Sequence, residues 1–162
     1  MKPNGIKVLV LGIGNYLMGD EGIGVHTIQC LEQEKFPPEV QLLDGGVGNF
    51  LLLESMESCE NLILIDAASD GKPKGTISKI FPKFSSDYPR TLTAHDIGLK
   101  DLLDAFYLTG KQLPNVVLFT VSIDSLPESL TTELSPEMKN VLPILCDEVK
   151  KEIQNILESK RS

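Results

Sequence analysis

At 162 residues the chain has the length of one domain, since domains run to about 100–200 residues, and it is long enough to enclose a substantial core. A composition 41% apolar and 23% charged excludes a disordered chain. Fifteen Lys and Arg stand against 23 Asp and Glu, and the formal charge of −8 excludes the basic face of a nucleic-acid binder. An acidic balance suits a protein that binds cations or a basic peptide segment.

Ile6–Leu11 is aliphatic apart from Lys7 and predicts a buried strand, followed by the turn-rich Gly12-Ile13-Gly14-Asn15. With Lys2 and Lys7 ahead of it, this opening imitates a signal peptide, but no small-residue cleavage site follows. A helix begins at Gly22 with Val25, Ile28 and Leu31 on one side, and Pro37-Pro38 stop it. Val40–Leu43 is a second strand, closed by Asp44-Gly45-Gly46, and Phe50–Met56 is helical. Leu62–Ile65 is a third buried strand, closed by Asp66. Ser69–Gly75 is a turn cluster, and the alternating Thr76–Phe81 is a half-exposed strand.

Pro82–Leu92 has no clean period and reads as a loop. Thr93 caps a helix carrying Leu99, Leu102, Leu103 and Phe106, and Gly110 ends it. Val116–Ile123 is the last strand. Ser135 at N-cap and Pro136 at N1 start a final helix, whose apolar face runs from Met138 through Leu145 to Ile156. Pro143 should kink that helix or delay its start. No repeat, linker or low-complexity tract divides the chain, and residues 1–162 read as one domain. Its longest uncharged stretches, Val8–Gly19 and Gln112–Ile123, fall short of a membrane span, which takes roughly 20 apolar residues.

Strands with continuous apolar runs, alternating with helices, predict a three-layer α/β sandwich. The link after the third strand is too short for a crossover helix, so Thr76–Phe81 should run antiparallel. Ligands of an open α/β sheet bind at the carboxyl ends of its strands. There the sequence places Asp20 and Glu21, then Asp44, then Asp66. Carboxylates on one edge repel unless a cation offsets them. His95, at the start of a helix, is disfavoured as an imidazolium, and its neutral form binds metals. Two carboxylates and an imidazole suit a borderline divalent ion such as Zn, Ni, Mn or Fe.

Other chemistries fare less well. Gly12-Ile13-Gly14 has the start of a dinucleotide fingerprint, which would make the chain a nucleotide-binding oxidoreductase with Asp44 on a ribose. Leu17 stands where the third glycine belongs, and Asp20 and Glu21 would repel a pyrophosphate. His26 lies off the face of Glu21 and reads as packed or solvated. Cys30, Cys59 and Cys146 make no CxxC pair, so they read as buried thiols of a reducing cytoplasm. A metal-binding module without catalysis remains a second alternative.

The segments Val8–Asn15, Gly19–Val25, Leu43-Asp44-Gly45-Gly46, Leu64–Ala67 and Thr93–Leu99 together resemble the hydrogenase maturation endopeptidases, in the family's order and across almost the whole chain. Pro82–Leu92 is poorly matched. The resemblance implies an α/β/α fold around a five-stranded, mostly parallel mixed sheet with one antiparallel strand. It places the family's nickel ligands on Glu21, Asp66 and His95, and makes Asp44 a supporting or catalytic candidate beside Glu21 and Asp66. It further implies an endopeptidase, acting as a monomer, whose partner is the large-subunit precursor of a nickel–iron hydrogenase. That precursor would bring the nickel with it and lose a short C-terminal extension.

Overall fold

Runs of aliphatic residues buried on both faces make the middle of the sheet. In β1 (Ile6–Ile13), Val8 and Val10 point to one side and Leu9, Leu11 and Ile13 to the other. β3 (Cys59–Ala68) and β5 (Asn115–Ser122) follow the same alternation. The computed structural model describes residues 5–46, 52–82, 104–105, 108–110 and 114–159. Outside the three strands above, these hold a 3₁₀ turn (Gly19–Gly22), α1 (Ile23–Leu31), β2 (Val40–Gly46), α2 (Leu52–Glu57), β4 (Ile77–Ile80) and α3 (Pro136–Glu158).

The strand order is β2-β1-β3-β5-β4. All pairs are parallel except β4 with β5, as the short link through Ser69–Gly75 requires. α1 and α3 cover one face of the sheet through Ile23, Ile28, Leu31, Met138, Leu145 and Val149. α2 covers the other through Met56, Leu52 and Leu53. The layers are those of the α/β/α sandwich expected. Among the described residues, no helix is long and apolar enough to cross a membrane.

Two expected boundaries move. β1 runs on to Ile13, and β3 has ten residues, not four, so Asp66 lies inside the strand and Cys59 begins it. Pairing explains the longer strand: Asp66, Ala67 and Ala68 continue the register with Thr120, Val121 and Ser122. α3 starts at Pro136 without delay despite Pro143. Lys139 and Pro143 are both exposed, so water can reach the carbonyl that lost its partner. The helix predicted to start at Thr93 lies mostly outside the described residues. Asp104, Ala105, Leu108 and Thr109 are helical, and Gly110 takes the left-handed φ of +69° that suits a helix end.

The glycines of the first loop serve packing. A Cβ on Gly12 would strike the Gly24 carbonyl and lie 2.7 Å from Ile28 Cγ1. A Cβ on Gly24 would strike the carbonyls of Ile13 and Ile65. Both positions let α1 lie directly on β1 and β3, which accounts for Gly12 without a pyrophosphate.

Candidate active site

The connection from β1 to α1 folds back on itself at the carboxyl edge of the sheet. Asn15 Oδ1 accepts from the Leu17 amide at 3.0 Å, and the Met18 amide donates to the Asn15 carbonyl at 3.0 Å. Such Asx turns are why asparagine suits this position. The loop is then stitched to the segment before α3. The Thr131 amide donates to Leu17 O at 2.8 Å, and the Gly19 amide to Thr131 O at 3.0 Å. His26 adds a third tie, its Nε2 lying 2.9 Å from the Thr132 carbonyl while its ring stacks obliquely on Tyr16.

All four residues of the 3₁₀ turn are buried, including Asp20 and Glu21. The two carboxylates differ in their surroundings. Asp20 Oδ1 accepts from the Ser135 amide at 2.7 Å, and Oδ2 accepts from the Ser135 hydroxyl at 2.8 Å. Lys74 Nζ stands 3.2 Å from Oδ2, and is also 3.7 Å from Asp124 and 3.6 Å from Glu137. Burial works against the Lys74 ammonium, but the three carboxylates outweigh it and hold its pKa above the ordinary value. Asp20 is therefore a cross-link between the first loop, the turn after β3 and the start of α3. Ser135 stands at N-cap as predicted, yet its hydroxyl serves Asp20 and makes no cap bond to its own helix. A cavity of about 230 Å³ opens beside this cross-link, lined by Asp20, Lys74, Leu126, Pro127, Glu133 and Ser135 among others.

The backbone of Glu21 and the side chain of Asp66 both approach Gly14. That glycine has φ +135°, and a Cβ on it would strike the Glu21 carbonyl and come within 3.7 Å of Asp66 Oδ1. Asp66 is 8% exposed and Glu21 4%, so both belong to the dry edge of the sheet. Asp66 Oδ1 also accepts from the Ala67 amide at 2.8 Å, which fixes its rotamer. Asp66 has the parity of Leu62 and Leu64 and faces the α2 side.

Asp44 does not share that face. It has the parity of Val40 and Leu42, which pack on the α1 and α3 side, and it is exposed near the end of edge strand β2. Its Oδ1 accepts from the Gly46 amide at 2.8 Å, a local turn bond. His95 lies outside the described residues, and within them no three His, Cys, Asp or Glu side chains form a group able to hold a metal. Cys30 is half-buried rather than buried, and it sits beside Cys146, two thiols that the sequence left scattered. Sequence reasoning missed Ser135 and Lys74 as partners of Asp20. The only sign was a serine at a helix start.

The sequence and the overall fold are matched in known proteins. The family HycI, hydrogenase maturation protease, matches residues 25–152. The chain is 35% identical over 128 residues to the hydrogenase 2 maturation protease of Escherichia coli, covering 77% of this chain and 76% of that one. It is 36% identical over 116 residues to the hydrogenase expression/formation protein HoxM of Cupriavidus necator, covering 68% of this chain and only 56% of that relative's length. The solved hydrogenase maturating endopeptidase HybD of E. coli superposes with a TM-score of 0.78 at 31% identity, over 93% of each chain. On these matches, together with the sheet order and the glycine-packed first loop, the chain belongs to the hydrogenase maturation proteases, a family of endopeptidases.

Proposed function

We propose that this chain removes the C-terminal extension from a nickel–iron hydrogenase large-subunit precursor, and that it recognises the precursor by its nickel through Glu21, Asp66 and His95. The observation that carries this reading is that the buried turn bearing Glu21 and the buried Asp66 carboxylate, 45 residues apart in sequence, both border Gly14 at the carboxyl edge of the sheet. A relative of known name, the hydrogenase 2 maturation protease, supports the substrate class.

In this reading nickel is part of the substrate, held by precursor cysteines. Two carboxylates and a neutral imidazole complete its coordination, a donor set suited to a borderline divalent ion. Binding then depends on metal loading, because a precursor without nickel lacks the ion that the carboxylates grip. Cleavage needs a water whose oxygen bonds to the scissile carbonyl carbon while the C–N bond breaks and the departing amine takes a proton. A carboxylate can accept the water's proton and return it to the amine. Asp66, buried and fixed by the Ala67 amide, is better placed for that than Asp44, which is exposed on the other face. In that sense the enzyme is of the aspartyl type. The reaction belongs to a reducing cytoplasm, in keeping with three free cysteines.

The test uses the purified chain with precursor isolated from nickel-replete and nickel-starved cells. Loaded precursor should be shortened and nickel-free precursor left intact. Glu21→Gln, Asp66→Asn and His95→Ala should each slow processing by about 100-fold or more, the scale of a lost acid–base or binding group. Full processing by all three variants would end the site assignment. Equal cleavage of both precursors would keep the peptidase and remove the metal dependence.

A further inference from the structure

The cavity beside the Asp20 cross-link has no part in the reaction above. At about 230 Å³ it is too small for a whole cofactor, whose sites run to roughly 300–1,000 Å³. Three of its polar lining residues are engaged with one another: Asp20 accepts from both Ser135 donors and from Lys74. Leu126, Pro127 and Leu134 supply apolar lining. Paired polar groups beside apolar ones suit one apolar side chain better than an ion or a polar ligand.

Apolar character continues to the surface around it. Leu17 is 48% exposed and Leu130 68%. A lone exposed leucine needs no explanation, but these two stand on segments tied together by the Thr131 amide on the Leu17 carbonyl. Thr131 itself lines the cavity. The cavity also shares a turn with the candidate site: Asp20 lines it and Glu21 is the next residue, with Cα atoms about 3.8 Å apart. An extended peptide advances about 3.3 Å per residue, so a chain bound at Glu21 passes the cavity within a few residues. A second copy of this chain is the poorer occupant. It would bring a charge of −8 to a face whose exposed charges are Asp124, Glu128, Glu133 and Glu137 against Lys139, and like charges across an interface are costly. We infer that this cavity is a specificity subsite, which takes one apolar side chain of the precursor near the scissile bond, with Leu17 and Leu130 flanking the peptide. The inference rests on the precursor-processing reading above.

Two changes at exposed positions test it. Ser125→Trp sets a large ring at the lining of the cavity, and the double variant Leu17→Asp with Leu130→Asp puts charge on its surroundings. Exposed side chains carry little stability, so both chains should melt close to the parent. With nickel-loaded precursor, each should show a KM raised roughly tenfold at nearly unchanged kcat, the mark of lost substrate binding. An alanine scan of the precursor on both sides of the scissile bond should find one apolar residue whose loss raises KM for the parent and adds nothing for Ser125→Trp. A KM within twofold of the parent for both variants overturns the inference, as does a scan in which no apolar residue loses its effect in Ser125→Trp. A parent that sediments as a dimer, with the double variant a monomer, gives the face to a second copy and overturns it too. A parent that leaves nickel-loaded precursor uncut overturns the processing reading, and the subsite with it, before any variant is made.

Discussion

Asp20 and Ser135, 115 residues apart, share two hydrogen bonds: the Ser135 amide reaches one carboxylate oxygen at 2.7 Å and its hydroxyl reaches the other at 2.8 Å. This places the first residue of the acidic pair in the scaffold and leaves Glu21, the second, to the site. This deeply buried carboxylate is matched by those two donors and by Lys74, 3.2 Å away. Asp20→Ala would leave the Ser135 donors unmatched and Lys74 with its two outer carboxylates. It should cost about 3 kcal/mol, within the range for breaking one side of a buried charged network. Ser135→Ala keeps the amide bond and should cost about 1 kcal/mol. Urea unfolding of both variants and the double mutant checks this. Strict additivity would show that the two side chains are not coupled.

Gly14 lies against the backbone carbonyl of Glu21 and beside the carboxylate of Asp66. Its φ of +135° is open to glycine and strained for any other residue, and an added methyl has no room against the Glu21 carbonyl. Gly14→Ala should therefore lower stability by about 3 kcal/mol through backbone strain and overpacking. It should also remove processing even at temperatures where the variant stays folded, because the turn bearing Glu21 must move away from Asp66. Circular dichroism with a precursor-cleavage assay measures both. A folded Gly14→Ala that processes normally would show that the approach of this turn to Asp66 does not matter.

Much of this arrangement is legible in the sequence, and the parts that are not have a common cause. β1, β3 and β5 are visible as aliphatic runs because sheet strands covered on both faces need apolar side chains at every position. β4 is visible through the short turn that forbids a crossover. Asp66 reads as a strand terminator, but Ala67 and Ala68 extend β3, and small residues carry little periodic signal. Asp44 looks equivalent to Asp66 in one dimension. Only the pleat, with Leu42 on one side and Leu43 on the other, puts it on the far face. Asp20 and Glu21 are indistinguishable until Ser135 and Lys74 arrive from elsewhere in the chain. Local pattern carries the elements, and contacts between residues far apart in the chain, 115 in the case of Asp20 and Ser135, carry the roles.

His26 makes stability depend on acid. Burial is the main influence, and it lowers the pKa below the ordinary 6.5, against the Thr132 carbonyl and the Asp20 charge, which favour the proton. An unfolded chain then binds more protons at this site than the folded one near pH 6. Stability contributed here is complete above the ordinary value and falls as the pH drops through 6.5 toward the lowered folded pKa. His26→Gln keeps a donor for Thr132 and removes the titration. Its unfolding free energy should change less between pH 7 and pH 5 than that of the parent chain, and parallel profiles for the two would assign the acid dependence to other groups.

The thiols should react in a fixed order. Cys30, on the last turn of α1, is half-buried, whereas Cys59 and Cys146 are buried. Cys59 Sγ donates to the Met56 carbonyl at 3.2 Å, beneath α2. Burial, with Cys30 beside it, pushes the Cys146 thiol up to about 12. At pH 8 a group with that pKa is thiolate in on the order of one molecule in ten thousand, and the thiolate is the reactive form. The ion pair of Lys150 with Glu34, at 2.7 Å, lies one helical turn from each cysteine of the pair and closes the outer end of the contact between α1 and α3. Iodoacetamide at pH 8 should therefore add one group to the folded chain, at Cys30, and three groups in urea. Glu34→Gln, which weakens the ion pair, should speed modification of Cys30 before that of Cys146. Peptide mass mapping at early times reads this directly, and equal rates at Cys30 and Cys146 in the folded chain would contradict the burial that separates them.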